Sequence, residues 1–265
     1  MPGSGWSVGA ARVPGGDLTY HRTGGAGPTL VLSHGLTDNG LCWSRFAAEM
    51  APEFDVIMID ARGHGGSART SAEVVTDPAR DIGELIASLG LERPIVIGHS
   101  VGARATAAYA NAYPDKVRKV ILEDPVFLPL IDAEAAAVRR AKFRSQVARF
   151  QEMSEADILA MGRKDSPGWH DDDFPAWAAA KRQVDPEAFP HYATPWQAQV
   201  DRIVAPTLVV HGEARLGSII TAAIADEARA LNPNIRTVEI TGAGHNVRRE
   251  NFEGFLAAVR AFLRP

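Results

Sequence analysis

A serine stands between glycines where a strand-like segment meets a helix-like one. Residues 98–102 are Gly-His-Ser-Val-Gly, directly after the apolar run 95–97 and directly before the helical stretch 103–111. Small residues on both sides allow the sharp, strained turn that exposes a nucleophilic side chain. The same turn would place the Val101 N–H at a helix start, facing a developing oxyanion. The pattern predicts that Ser100 is the nucleophile of an acyl-transfer reaction.

Three further motifs occur with this turn, in an order that resembles the α/β-hydrolase superfamily. Residues 33–36 (Ser-His-Gly-Leu) resemble the family's HG oxyanion loop, 60–65 (Asp-Ala-Arg-Gly-His-Gly) its D-x-R-G-H-G turn, and 242–245 (Gly-Ala-Gly-His) the element that presents the catalytic histidine. One G-x-S-x-G match could be an ordinary turn with an incidental serine. Four motifs in the family's order are far more specific, and the resemblance covers nearly all of the chain.

The position of His245 favours it as the general base. It follows the last strand-like run in a loop framed by glycines, from which a side chain can reach Ser100 across the edge of a parallel sheet. A histidine there would accept the serine proton and return it to the leaving group. The resemblance further implies that the backbone N–H of Leu36 is an oxyanion donor together with that of Val101, and that His34 orders the loop.

The triad acid has three candidates. Many family members carry it after the penultimate strand in a G-x-x-D context, but residues 212–215 here are Gly-Glu-Ala-Arg. The other placement that the resemblance offers follows the strand after the nucleophile helix, as in one subgroup of haloalkane dehalogenases and in zearalenone-type lactonases. An ungapped alignment of the segment leading into that strand puts Asp124 on the acid position. Glu123 and Glu213 remain the alternative acids.

Six short runs rich in Val, Ile and Leu must form the sheet that positions these residues. They are nearly continuous in apolar residues rather than alternating, as expected for strands buried on both faces. Helical stretches separate them, which is the pattern of a parallel sheet with helices on both sides. We predict an α/β-hydrolase fold, with a mostly parallel central sheet flanked by helices. The runs are 29–32, 56–59, 95–97, 117–122, 208–210 and 237–240.

The alternation of strand and helix breaks between about 127 and 202. This stretch of ~75 residues is too long for a plain loop, and it contains an Ala-rich charged helical segment. We predict a helical cap at 127–202 over a core domain formed by 1–126 and 203–265. The candidate substrate-binding residues are Trp43, Trp169, Trp177 and Trp196. For Trp43, which follows the oxyanion loop, a role in the core is equally consistent.

Composition restricts the partners and the surroundings. The chain has 265 residues, of which 46% are hydrophobic and 23% charged, as in ordinary globular proteins. Its net charge of −4 and the absence of a long basic run argue against a nucleic-acid partner. The single cysteine, Cys42, excludes an internal disulfide framework and a thiolate zinc site. We find no apolar targeting segment and no run of ~18 apolar residues, so we expect a cytoplasmic protein without a membrane partner.

A serine nucleophile favours hydrolysis of a carboxylic ester or lactone through an acyl-enzyme. Haloalkane dehalogenases and epoxide hydrolases of this fold have an aspartate at that position. The tryptophans and alanines of the cap indicate a mostly apolar small-molecule substrate. We expect no cofactor and no metal, and a monomer or homodimer. Two alternatives remain, which are a C–C bond hydrolase of the meta-cleavage-product type and a non-catalytic small-molecule receptor on a hydrolase scaffold.

Overall fold

One sheet of eight strands forms the centre of the structure. The computed structural model describes residues 5–70 and 77–264 of the chain. Each of the six apolar runs overlaps one of the strands β3 to β8 defined here. The strands are β1 (Ser7–Val13), β2 (Gly16–Arg22), β3 (Thr29–Ser33), β4 (Asp55–Ile59), β5 (Ile95–His99), β6 (Lys119–Glu123), β7 (Thr207–His211) and β8 (Ile235–Glu239).

The sheet is mostly parallel, with the strand order β1-β2-β4-β3-β5-β6-β7-β8. Strands β3 to β8 run parallel to their neighbours, whereas β1 and β2 form an antiparallel hairpin that pairs with β4 through β2. Strands β4, β5 and β7 are buried along their whole length, which explains their apolar character. The predicted fold class is confirmed.

Helices cover both faces of this sheet. The helices of the described ranges are α1 (Ser44–Met50), α2 (Pro78–Ser88), α3 (Val101–Ala112), α4 (Ala133–Glu152), α5 (Glu155–Asp165), α6 (Asp173–Arg182), α7 (Ala222–Leu231), α8 (Val247–Glu250) and α9 (Phe252–Leu263), of which α4 to α6 form an insert described below. One apolar layer includes Leu85 of α2, Tyr109 of α3 and Ala225 of α7. The other includes Phe46 of α1 and Phe255 of α9. The sheet is therefore buried between two helical layers.

Helices α4, α5 and α6 lie between β6 and β7, in the stretch where the sequence predicts a cap. Phe143 and Val147 of α4 pack against Val184, which follows α6, and the side chain of Leu36 lies against the same cluster. Leu36 belongs to the loop after β3, at the carboxyl edge of the sheet. The inserted helices thus contact a loop at the edge where open α/β sheets bind ligands.

No helix in residues 5–70 and 77–264 has both the length and the apolar character of a bilayer-spanning segment. The 20-residue helix α4, for example, carries charged side chains along its length.

Gly98 allows the close approach of β5 and α3 at the nucleophile turn. A Cβ atom added there would lie 2.5 Å from the Gly102 carbonyl oxygen and 2.6 Å from the Ala103 nitrogen. Both are backbone atoms that cannot rotate away, so we expect Gly98→Ala to lower the free energy of unfolding by about 1–3 kcal/mol. Gly168→Ala is the matched control, because an added Cβ there meets nothing within 4 Å, and we expect a change within about 0.5 kcal/mol. Urea unfolding measures both; equal stability of the two variants would contradict the close packing of this turn.

Candidate active site

The carboxyl ends of the parallel strands bring Ser100, Asp124 and His245 together. Ser100 follows β5, Asp124 follows β6, and His245 lies in the loop after β8. The Ser100 Oγ lies 3.0 Å from His245 Nε2. The His245 Nδ1 lies 2.6 Å from Asp124 Oδ2. Three side chains that are far apart in the sequence thus form one continuous hydrogen-bonded chain.

Ser100 and Asp124 both lie on backbone that L-amino acids rarely adopt. Ser100 has φ +56° and ψ −118°, and Asp124 has φ +39°. Each such conformation costs about 1–3 kcal/mol, which the surrounding structure must offset. The Ser100 N–H donates to the Glu123 carbonyl at 2.9 Å, and the Asp124 N–H donates to the Val210 carbonyl at 2.8 Å. These two bonds fix both turns to the neighbouring strand.

The environment of Asp124 fixes the tautomer of His245. Asp124 is fully buried, and its carboxylate accepts hydrogen bonds from three groups of the loop after β7. These are the Ser218 hydroxyl at 2.6 Å and the N–H groups of Ile219 at 2.9 Å and Ile220 at 3.1 Å. A carboxylate surrounded by donors accepts a fourth bond from His245, so Nδ1 carries the imidazole proton. The lone pair of Nε2 therefore faces the Ser100 hydroxyl, which is the arrangement a general base requires.

The residues that bind the Asp124 carboxylate were not found from the sequence. They lie in the loop after β7, where many family members carry the acid itself, and here that loop supplies hydrogen-bond donors instead. The signal available in the sequence was weak, because a serine and two isoleucines at 218–220 resemble any loop. The missing aspartate at 215 was the only hint that this loop has a different role.

The two alternative acids have other partners. Glu123 is fully buried, and its carboxylate accepts from the Arg248 N–H at 2.8 Å and from the Arg248 guanidinium at 2.7 Å. Burial raises the pKa of Glu123, and the charge of Arg248 opposes that rise. Glu213 accepts from the Gly242 N–H at 2.6 Å and pairs with Arg215. Both glutamates order the segments on either side of His245, and neither contacts its ring in the structure.

The N–H groups of Leu36 and Val101 are available to a ligand. Among the described residues neither has a hydrogen-bond acceptor, and Val101 is the first residue of α3, where helical N–H groups have no intrahelical partner. The Gly35 carbonyl accepts from His34 Nδ1 at 2.7 Å and from the Asp38 N–H at 3.1 Å. A trans peptide directs its N–H opposite to its carbonyl. These contacts therefore fix the direction of the Leu36 N–H, in what we call the oxyanion loop (residues 34–38).

Two buried histidines, His34 and His64, form hydrogen bonds with the backbone of this loop. The Nε2 atom of His34 accepts the Ala61 N–H at 3.0 Å, so Nδ1 carries the proton that goes to Gly35. Burial, followed by the neighbouring His64, lowers the pKa of His34 to about 4. The Nε2 atom of His64 lies 2.5 Å from the Leu36 carbonyl oxygen. The sequence suggested that His34 orders the loop, and the structure adds His64 as a second contact.

His99, the residue before Ser100, supports the loop that carries His245. Its Nε2 donates to the His245 carbonyl at 3.1 Å, and the two rings lie 4.9 Å apart. Burial lowers the pKa of His99 well below its usual range, so the ring is neutral. A Cβ atom at position 35 would lie 2.7 Å from its Nδ1. This contact explains the glycine in the oxyanion loop.

The expected substrate role needs correction for two of the four tryptophans. Trp43 has no exposed surface and packs in the core against Phe46 and Phe255. Trp196 is 2% exposed and stacks on Phe127 with ring centroids 4.5 Å apart. Neither ring offers a face to a substrate, because the core already covers both. The large apolar surface of tryptophan is a signal for burial as much as for a pocket.

Trp169 and Trp177 are half-buried, and each lies over a cation. The Arg249 guanidinium lies 4.7 Å from the ring centroid of Trp169, and the Lys181 ammonium lies 4.7 Å from that of Trp177. The two rings also meet edge to face, with centroids 6.0 Å apart. Trp169 also stacks on Phe174, and Trp177 packs against an apolar cluster of the inserted helices. A substrate role for these two tryptophans stays a prediction. In the described part of the chain, no group of three or more His, Cys, Asp or Glu side chains could bind a metal ion.

Comparisons with known proteins agree with the fold and the motifs. A sequence model of the alpha/beta hydrolase family matches residues 30–258, and the chain belongs to this family. A 2-(acetamidomethylene)succinate hydrolase of Mesorhizobium japonicum is 30% identical over 95% of this chain and 94% of its own. An N-formylmaleamate deformylase of Pseudomonas putida is 29% identical over 92% of this chain and 91% of its own. The resemblance is therefore confirmed, and the chain is similar over nearly its full length to hydrolases.

Solved structures give the same result. A crystal structure of E-2-(acetamidomethylene)succinate hydrolase has a TM-score of 0.78 at 25% identity and covers 97% of this chain and 99% of its own. The carboxylesterase CesB of Bacillus subtilis has a TM-score of 0.72 at 20% identity and covers 97% of this chain and 91% of its own. At that identity the second likeness concerns the fold alone. Together they confirm an α/β-hydrolase architecture.

Replacing the acid tests the hydrogen-bonded chain. In Asp124→Asn the side chain can present an N–H to His245, which would turn the imidazole to the wrong tautomer, so we expect kcat to fall about 10²–10⁴-fold. Glu213→Gln is the control, and we expect its rate to stay within about threefold because Glu213 does not contact the His245 ring. Initial rates on p-nitrophenyl esters measure both. Near-normal activity of Asp124→Asn, with a large loss in Glu123→Gln or Glu213→Gln, would show that another residue is the acid.

The low pKa of His34 predicts a loss of stability in acid. Its pKa is about 4 in the folded protein against an ordinary value of 6.5. Between these values the unfolded chain binds a proton that the folded chain does not, so the free energy of unfolding falls as the pH drops from about 6.5 toward 4. We expect urea midpoints to decrease over this range, and to decrease less steeply in His34→Asn. An unchanged pH dependence in that variant would contradict a neutral, buried His34.

Proposed function

We propose that this chain hydrolyses a carboxylic ester or lactone of a mostly apolar small molecule through an acyl-enzyme on Ser100. The observation that carries the proposal is the chain Asp124–His245–Ser100, with contacts of 2.6 and 3.0 Å. An imidazole that is held by a buried carboxylate and directed at a hydroxyl is the arrangement of a nucleophile with its base. Because proteins of this fold catalyse many different reactions, the residues of the site, and not the fold, are the basis of this proposal.

The geometry supports each step of acyl transfer. The Ser100 oxygen attacks the substrate carbonyl while its proton passes to His245 Nε2, and the Asp124 carboxylate stabilises the imidazolium that forms. The oxyanion of the tetrahedral intermediate would accept hydrogen bonds from the N–H groups of Leu36 and Val101. Collapse transfers the His245 proton to the leaving alkoxide and leaves the acyl group on Ser100. Water, deprotonated by the same histidine, then releases the acid and restores the serine.

The surroundings of the oxyanion loop support an apolar substrate. The Leu36 side chain packs with Phe143, Val147, Val184 and Phe189 of the inserted segment. The rings of Phe143 and Phe189 lie 5.5 Å apart. An apolar group of a substrate bound beside Leu36 would therefore be covered by apolar side chains, which gain free energy by leaving water.

A second candidate is the hydrolysis of an N-acyl amide that carries carboxylate groups. The two relatives that align over more than nine-tenths of both chains favour it, because their names denote an acetamido group on a succinate and a formyl group on maleamate. The chemistry at Ser100 would be the same, with His245 protonating a leaving nitrogen instead of an alkoxide. The remaining alternatives, a C–C bond hydrolase and a receptor without turnover, differ in the bond cleaved and in the reactivity of Ser100.

A fluorophosphonate probe tests the proposed function. We expect one covalent adduct on Ser100 in the wild type and in the control Ser145→Ala, whose serine lies on the exposed face of α4. Ser100→Ala should form no adduct and lose activity by at least about 10³-fold with its fold intact. Intact-protein mass spectrometry and circular dichroism give these results. An unlabelled wild type, or turnover that survives Ser100→Ala, would contradict the proposal.

The substrate class is then tested on a panel of p-nitrophenyl esters, lactones, N-acyl amides with carboxylate groups, and a vinylogous diketone. A kcat/KM at least about tenfold higher for esters or lactones than for the amides supports the first candidate, and this ratio corresponds to about 1.4 kcal/mol in the barrier. The reverse order supports the second.

A further inference from the structure

A buried lysine of the inserted segment binds the oxyanion loop. Lys181 lies at the end of α6, and its side chain is almost fully buried. Its ammonium donates to the Thr37 carbonyl at 2.9 Å, to the Thr37 hydroxyl at 2.8 Å and to the Asp38 carboxylate at 3.1 Å. An ammonium has three donors, so this side chain commits all of them to two residues of one loop.

These bonds complete a set of contacts along the loop. Three successive carbonyl groups, those of Gly35, Leu36 and Thr37, each lie against a different side chain. The first contacts His34, the second His64, and the third Lys181. The two histidines belong to the loops after β3 and β4, whereas Lys181 comes from the insert. A residue outside the sheet and its loops therefore binds the same loop that carries the Leu36 N–H.

The charges nearby show that Lys181 is not needed to neutralise Asp38. Five buried residues form what we call the buried ion cluster: Asp38, Glu123, Lys181, Arg248 and Arg249. The Asp38 carboxylate also contacts the guanidinium of Arg249 at 2.9 Å and that of Arg248 at 3.4 Å. Arg248 pairs in addition with Glu123 at 2.7 Å. The cluster thus contains three cations and two carboxylates, and without Lys181 it would contain two of each.

Burying the charged Lys181 side chain costs free energy, because no carboxylate pairs with this residue alone. Desolvation lowers the pKa of Lys181, and Asp38, which it shares with two arginines, opposes that change only in part. A neutral side chain of the same length would remove this cost. What such a side chain could not do is donate to the Thr37 carbonyl and hydroxyl. The contribution that depends on the ammonium is therefore the position of the loop.

We propose that Lys181 is a positioning residue for the oxyanion hole, so that the Leu36 N–H faces the tetrahedral intermediate only while α6 is seated on the core. The inference rests on the proposed function, since it requires an oxyanion on the path. It couples two parts of the chain, because displacement of the insert would withdraw the lysine from Thr37 and release the loop.

The test compares Lys181→Met with Arg182→Met. Arg182 is the next residue of the same helix and is exposed, so the control removes a cation from α6 without touching the loop. Turnover is measured on a substrate whose hydrolysis is abolished in Ser100→Ala. A shift of about 1 Å in a catalytic group can cost about 10²-fold, so we expect kcat of Lys181→Met to fall about 10–100-fold with KM within threefold. The control should keep both constants within twofold.

Two further readouts separate positioning from damage to the fold. Phenylboronic acid forms a tetrahedral adduct on a catalytic serine, with one oxygen in the oxyanion hole. Its Ki should rise in Lys181→Met by the same factor as kcat falls. Titration with the fluorophosphonate probe counts competent sites, and we expect the same number as in the wild type. The acid limb of the pH–rate profile should not move, since the His245–Asp124 contact is unchanged.

Lys181→Arg provides a second variant should the methionine protein not accumulate. Arginine keeps the charge, but its planar, forked guanidinium does not reproduce the hydrogen-bond geometry of an ammonium group. We therefore expect about a 3–10-fold loss of kcat with a parallel rise in Ki.

Three results would overturn the inference: kcat and Ki of the lysine variants within twofold of Arg182→Met, a lower count of titratable sites that each turn over at the normal rate, or a shifted acid limb. Any of these with an inactive Ser100→Ala leaves the proposed function standing. An active Ser100→Ala removes the proposed function itself.

Discussion

The site depends on two residues whose backbone is held in a conformation that their side chains disfavour. Ser100 and Asp124 have positive φ, and they end the adjacent parallel strands β5 and β6. A regular extended strand has negative φ, so neither residue continues the strand that precedes it. The bent backbone instead directs both side chains to the carboxyl edge, where His245 bridges them. Such strain persists only when packing and hydrogen bonds over-determine it, and here each residue donates its N–H to the next strand.

Two adjacent carboxylates at this edge of the sheet, those of Glu123 and Asp124, lie in different environments. Asp124 accepts from a hydroxyl, two N–H groups and an imidazole, whereas Glu123 accepts from the guanidinium and the N–H of Arg248. One carboxylate orients a base, and the other ties β6 to the start of α8, three residues after that base. Pairs of titratable groups given different roles by their surroundings are typical of catalytic sites. The buried ion cluster extends this organisation from β6 to the oxyanion loop and to the insert.

The elements that the sequence predicted well are those defined by local rules. Buried parallel strands are continuous in apolar residues, and the turn around Ser100 needs glycines because Gly98 meets backbone at 2.5 Å. The hairpin β1–β2 has no continuous run of apolar residues in its sequence, because it is partly exposed at the edge of the sheet. Ser100 and His245 were predicted from motifs that each encode one turn, whereas Asp124 was predicted from an ungapped alignment that left Glu123 and Glu213 as alternatives. The residues that support the site, such as Ser218 and Lys181, belong to no sequence motif, so the sequence did not identify their roles.

The tryptophans show what the sequence alone could not predict. A large apolar ring contributes to a pocket or to a core by the same physical effect, and only the packing of the folded chain decides between them. Trp43 and Trp196 lie in the core, whereas Trp169 covers Arg249, which is distant in the sequence, and Trp177 covers Lys181 of the same helix. Long-range ion pairs, such as those of Asp38 with residues 181, 248 and 249, leave no periodic signal in a sequence. The support of the site is thus less predictable than its reacting groups.

The central claim is that Ser100 and the N–H groups of Leu36 and Val101 converge on one tetrahedral centre. A crystal structure of the protein after reaction with a fluorophosphonate tests it most directly, because the phosphonyl group mimics the intermediate. We predict a phosphorus–oxygen bond to Ser100 and a phosphonyl oxygen about 2.7–3.1 Å from both nitrogens. A phosphonyl oxygen directed to solvent, with either nitrogen more than about 3.5 Å away, would contradict the account.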